Sequence, residues 1–183
     1  VTLVKISTMQ EIVFNHRRIA KTGKSTLSTL ETGGKVLFFL LEDLPAFDQN
    51  QDGTPDKIKG STAIEAGEGW LVPWFAGKFY EKAKTNKQDF ALALQMVKGV
   101  DRWGKVITHG NIRVHTGLDI IHTDGCPLTG AKPYINKAGN FAFMSGSSGA
   151  AFNGILYPML RNIWEPGMKD FKVPVKWVVD EHF

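Results

Sequence analysis

The sequence lacks the residues that many small chemistries need. It holds one cysteine, Cys126, among 183 residues. A single thiol forms no internal disulfide and builds no cysteine-based zinc or iron–sulfur site. Packing, an intermolecular bridge or nucleophilic reactivity remain open to it. No apolar run approaches the roughly 18 residues of a membrane-spanning helix; the longest, Val36-Leu37-Phe38-Phe39-Leu40-Leu41, has the length of a strand. No basic segment followed by an apolar core stands at Val1, so no signal peptide is visible there. Internal repeats and low-complexity tracts are absent, and so is a His-Glu-x-x-His zinc motif. Charge excess is small: 22 Lys and Arg against 18 Asp and Glu give +4. The basic stretches, Arg17-Arg18 with Lys21 and Lys24, and Lys82 to Lys87, carry no interleaved aromatic platform. Nucleic acid is therefore not an expected partner. An anionic polymer such as a cell wall suits the same mild excess.

What is present reads as one globular domain, 1–183, with 43% hydrophobic and 22% charged residues. Short β-branched and aromatic runs predict strands over 1–7, 11–19, 25–31, 35–42, 61–64 and 69–73, broken by Thr22-Gly23-Lys24 and Thr32-Gly33-Gly34. Good helix formers over 77–85 and 87–98 predict a short helix in the middle of the chain. Strands are then expected over 103–109 and 112–115, joined by a His109-Gly110-Asn111 turn. Phe152, Ile155, Leu156, Met159, Leu160 and Ile163 follow helical spacing, with Ser147 or Ser148 as N-cap and Pro158 as the source of a kink or broken turn. Alternating Phe171, Val173, Val175, Trp177 and Val179 predict a last strand. The fold class expected is mainly β (α+β), with one or two attached helices.

The chemistry concentrates in His115-Thr116-Gly117-Leu118-Asp119-Ile120-Ile121-His122-Thr123-Asp124-Gly125-Cys126. A thiol becomes a working nucleophile when a base takes its proton. His115, eleven positions upstream at a strand end, is placed to be that base. Gly125 permits a tight turn in which its own amide and that of Cys126 face a developing oxyanion. The competing reading is an inert buried cysteine.

The order His115, then Thr123-Asp124-Gly125-Cys126, resembles a phage and bacterial domain family of unknown function with a His-x-Gly…Thr-x-Gly-Cys motif. That family is related to L,D-transpeptidase catalytic domains. Thr26 to Leu30, Leu41-Glu42-Asp43, Lys59 to Ile64 with Ala66-Gly67, and Ser145 to Ser147 ahead of Leu156-Tyr157-Pro158 resemble further segments of it, so the likeness spans about 25–162. It departs at Leu118, His122 and Glu65, and Leu128 stands where L,D-transpeptidases carry an arginine. The resemblance implies an L,D-transpeptidase-like β-sandwich or barrel. It implies a cysteine enzyme acting on peptidoglycan stem peptides by transpeptidation or carboxypeptidase cleavage, with Cys126 and His115 passing through a thioester. Thr123, His122, Asp119, Ser145 and Arg113 are the candidate substrate-binding residues, Arg113 as a stand-in for the missing arginine. The setting implied is periplasmic or extracellular, in a phage, a secretion system or an exported toxin. The alternative is a non-catalytic wall-binding or assembly module that keeps the fold.

Two metal readings accompany this one. Asp48, Asn50, Asp52, Thr54 and Asp56 place oxygens at alternate positions around Gly53, as calcium loops do, in an insertion over 44–57. Lys59 occupies the position where an EF-hand closes with glutamate, so a shorter structural calcium loop is the expectation. His109, His115 and His122 stand six and seven residues apart beside Asp119 and Asp124, a weaker zinc constellation. The chemistry itself requires no cofactor.

Overall fold

The computed structural model describes residues 11–44, 63–100, 106–164 and 175–181, with side chains from 98 to 111 outside the description. The predicted strand at 1–7 and the loop carrying Asp48, Asn50, Asp52, Thr54 and Asp56 lie outside the described residues; of the strand predicted over 61–64, Ala63 and Ile64 are described and form no strand.

The chain is mainly β. Nine strands form one sheet in the order β6-β5-β4-β11-β1-β2-β3-β8-β7. They are β1 (Ile12–Lys21), β2 (Thr26–Thr32), β3 (Lys35–Glu42), β4 (Gly67–Trp74), β5 (Ala91–Val100), β6 (Val106–Arg113), β7 (His115–Thr116), β8 (Leu128–Gly130) and β11 (Val175–Glu181). Neighbours are antiparallel except β1–β11 and β7–β8. A small hairpin, β9 (Pro133–Ile135) with β10 (Phe141–Phe143), packs outside the sheet. The two edge strands, β6 and β7, are separated in sequence by Val114 alone. The sheet therefore curls until its edges meet, nearly closing a barrel. Near closure shields the edge strands' unpaired backbone groups.

Local sequence explains the best-read elements. Gly33 and Gly34 both have positive φ, +54° and +75°, the geometry of a tight hairpin turn matched to strand twist. They set the β2–β3 register, Leu27 opposite Leu41 and Leu30 opposite Phe38. Phe14, Leu30, Phe38, Leu40, Leu71, Leu92, Leu94 and Trp177 share one buried cluster on the inner face. Leu27, Leu41 and Leu128 face the other way, onto Phe143 of β10. Both faces of β2 and β3 are thus covered. Truncating a side chain such as Leu30 or Leu40, each wholly buried, would cost about 2–5 kcal/mol.

Two expectations fail for one reason. Residues 87–98 were expected to extend the helical middle, yet the helix α1 (Gly77–Thr85) stops there and β5 begins at Ala91. Phe90, Leu92, Leu94 and Met96 are buried at every second position, and β5 pairs with β4 on one side and β6 on the other. Sheet pairing overrides the helix propensity of Ala, Leu and Gln. Likewise His109-Gly110-Asn111 makes no turn but continues β6, with His109 opposite Met96.

The late helical run is α2 (Ser147–Ala151), a π segment (Phe152–Leu156) and α3 (Tyr157–Ile163). Pro158 lacks an N–H and cannot bond the carbonyl four residues back. The chain widens ahead of it, Tyr157 N–H reaching Phe152 O five residues back, so the helix continues without breaking. Ala151, Phe152, Leu156, Leu160 and Trp164 pack on the inner cluster, where Trp164 and Tyr157 both touch Phe90 at 5.4 and 5.0 Å between ring centroids.

The inner face turns polar at one end. Arg18 and His16 of β1 and Glu42 of β3 are fully buried. Arg18 Nε donates to Glu42 at 3.1 Å and its Nη1 to Glu181 at 2.7 Å; a further N–H reaches Ile64 O. His16 Nε2 lies 2.9 Å from Glu42, and Trp177 Nε1 donates to His16 Nδ1. Burial alone would raise the Glu42 pKa. His16 and Arg18, by charge and hydrogen bonding, overcome it and hold the carboxyl at about 2.

Candidate active site

The site forms at the barrel seam. Gly125 takes φ +91°, which an L side chain rarely adopts, and turns the chain sharply before Cys126. The turn is locked by Thr123, whose hydroxyl accepts from Cys126 N–H and donates to Cys126 O, each at 2.7 Å. Thr123 is buried, and its role is to shape the nucleophile turn. After the turn, β8 runs parallel to β7, with His115 opposite Leu128 and His115 N–H donating to Pro127 O at 3.3 Å. His115 therefore stands on β7 and Cys126 in the turn two residues before its neighbour β8. No hydrogen bond joins the thiol to the imidazole among the described residues. Apo sites often tighten such contacts only with substrate bound.

The thiol's nearest partner is Arg113. At the end of β6 its backbone N–H donates to Cys126 Sγ at 3.2 Å. Its buried guanidinium stacks over Trp74, 4.5 Å from the ring centroid, and gives one N–H to Ile112 O. Among the described residues it makes no salt bridge to a carboxylate. Burial pushes the Cys126 thiol up. The Arg113 N–H, the Arg113 charge and the Thr123 hydroxyl pull it back, and Asp124 opposes them. Burial also lowers the Arg113 pKa, against the pull of the thiolate.

His115 is partly buried, with Phe79 of α1 against its ring at 5.1 Å. Burial lowers its pKa, helped by the positive charges of Lys82, Lys78 and His122, while its bond to Thr116 O resists. The neutral ring is thus favoured. The neighbour of Nδ1 is the Thr116 carbonyl at 2.9 Å, an acceptor, so Nδ1 carries the proton and Nε2 is left as the base.

Gly125 N–H bonds the carboxylate of Asp43, just past β3. Asp43 is buried, and its Oδ2 has no hydrogen-bond partner among the described residues. Burial raises its pKa to about 6, against the Gly125 bond, with Glu42 and Asp124 adding repulsion. Both amides expected at an oxyanion are therefore engaged, that of Cys126 by Thr123 and that of Gly125 by Asp43. Leu128, where an arginine would support the chemistry, is fully buried in the outer cluster.

The remaining candidates take structural positions. Asp119 accepts from Asn136 Nδ2 at 2.9 Å and exchanges capping bonds with His122 around a single 3-10 turn, Ile120–His122. Ser145 is exposed in the turn before α2. Ser147 and Ser148 do not cap α2; Gly146 stands at that position without a side-chain bond. Instead the Ser147 hydroxyl accepts from the N–H groups of Ala131 and Lys132, and that of Ser148 from Gly117 N–H at 2.8 Å. The serines tie the helix to the segments flanking the nucleophile turn. No group of three His, Cys, Asp or Glu residues suited to a metal occurs among the described residues. The side chain of His109 and the proposed calcium ligands lie outside them.

Sequence reasoning missed Asp43, Trp74, Phe79 and Lys82. Asp43 had a signal, an acidic pair ending the apolar run of β3. The others depend on which strand meets which. No protein-family profile, no curated protein and no solved structure matches the chain.

Proposed function

We propose that the chain is a cysteine-dependent enzyme of the L,D-transpeptidase or L,D-carboxypeptidase type, with the corresponding barrel fold, acting on peptidoglycan stem peptides outside the cytoplasm. The observation that carries the reading is the convergence of Arg113 on Cys126, beside a histidine held in its basic tautomer. His115 Nε2 accepts the Sγ proton as the sulfur attacks an amide carbonyl of the stem. The C–N bond breaks, His115 returns the proton to the leaving amine, and a thioester remains. Water or a second amine then displaces Cys126. Arg113 supplies positive charge to the thiolate and to the carbonyl oxygen, the role left open by Leu128. Thr123 and Asp43 hold the turn; His122, Asp119 and Ser145 are the proposed substrate-binding residues. Asp48, Asn50, Asp52, Thr54 and Asp56 are proposed to bind calcium structurally, which titration calorimetry against Asp52→Ala tests; equal heats remove the proposal.

The test of the enzyme is direct. Muropeptides incubated with the protein and with Cys126→Ala are resolved by mass spectrometry. A change in stem length or cross-linking that requires Cys126 is expected, and its absence refutes catalysis. The engaged amides and the burial-raised thiol favour a second reading, a wall-binding or assembly module without chemistry. Sedimentation of Cys126→Ala and wild type equally with purified sacculi, without product, supports that one.

A further inference from the structure

A pocket of about 500 Å³, counting its open mouth, lies between α1, β5, β7 and the π segment, and His115 forms part of its wall. Phe79, Ala83, Ala91, Leu92, Val114 and Phe152 give it apolar sides. Lys82, Asn86, Gln88 and Asn153 supply polar groups, and no acidic residue lines it among the described residues. We infer that this pocket receives the carboxylate-bearing end of a peptide, with Lys82 as its counter-charge. The inference rests on the stem-peptide reading and names where the substrate's free end lies.

Three observations converge. Lys82 makes no ion pair among the described residues, whereas its neighbour Lys84 is held by Glu81 at 2.7 Å. Its charge is thus available to a ligand. Asn86, Gln88 and Asn153 offer both donors and acceptors, as a peptide main chain requires, and Gln88 Nε2 already orients Asn153 through a 2.7 Å bond. The pocket meets the candidate base at His115. A peptide anchored by its end at Lys82 presents its last amides toward the seam.

The test uses the full chain carrying Cys126→Ala, so binding is read without turnover. An N-acetylated stem tetrapeptide with a free C-terminal carboxylate, and the same peptide as its C-terminal amide, are titrated by calorimetry. The acid is expected to bind about fivefold tighter or more. Adding Lys82→Met should remove that preference, and adding Lys84→Met should keep it. Lys82 is exposed, and circular dichroism confirms that each variant folds. Equal binding of acid and amide, no binding of either, or a preference that survives Lys82→Met overturns the inference. So does displacement of the acid by inorganic phosphate at equal concentration, which marks a general anion site. Failure of the enzyme reading is separately visible. A Lys82-dependent preference without Cys126-dependent muropeptide products leaves the pocket standing and removes the catalysis.

Discussion

Replacing Asp43 by Asn should stabilise the protein at neutral pH, although the change removes a charge next to the nucleophile turn. Asp43 is 7% exposed, and its Oδ2 has no partner among the described residues. Burial lifts its pKa from 3.8 to about 6. Between those values the native state binds more protons than the unfolded chain. The neutral acid's contribution is therefore fully present below pH 3.8 and is lost as pH rises through 6. At about 1.4 kcal/mol per unit, the shift amounts to at most about 3 kcal/mol. Asn keeps an oxygen for Gly125 N–H and turns an amide N–H2 toward the carboxylates of Glu42 and Asp124. Urea unfolding, followed by tryptophan fluorescence, should show Asp43→Asn about 1–3 kcal/mol more stable than wild type at pH 7.5. The gap should shrink towards zero near pH 4. Titration of Glu42 affects both proteins and cancels in the difference. A gap independent of pH, or a loss of stability at pH 7.5, would refute the burial argument.

Glu42→Gln should act in the opposite direction. It strips the buried Arg18 of its main counter-charge, at a cost of about 3–5 kcal/mol in urea unfolding at pH 7. Glu42's contribution is present above pH 4.5 and disappears as pH falls through about 2, so the gap to wild type should narrow in acid. Gly130→Ala would place a Cβ 2.3 Å from the Phe143 ring, and overpacking should cost about 1–3 kcal/mol. Adding Phe143→Leu should recover part of that loss in a double-mutant cycle. Arg113→Met should slow iodoacetamide alkylation of Cys126 severalfold at pH 8, about tenfold for each unit by which the thiol rises. An unchanged rate would show that Arg113 does not poise the sulfur.

Composition and local pattern determined much of the scaffold. Strand β3 appears over the residues expected of it, and the glycines at 33 and 34 place the β2–β3 turn. Helical spacing from Phe152 to Ile163 is enough to announce the late helix. The segment from His115 to Cys126 supplies the residue types on which the proposed chemistry rests. Those features depend on neighbours a few positions apart, which a sequence displays directly. Tertiary structure decided the rest. Residues 91–98 became strand because β4 and β6 pair with them on either side, outweighing local helix preference. Arg113 meets Cys126 because the sheet curls until its edges touch. Asp43 reaches Gly125 from a strand some eighty residues earlier in the chain. Each of these contacts joins segments that only the folded sheet brings together, and burial there sets whether a thiol, an imidazole or a carboxyl holds its charge.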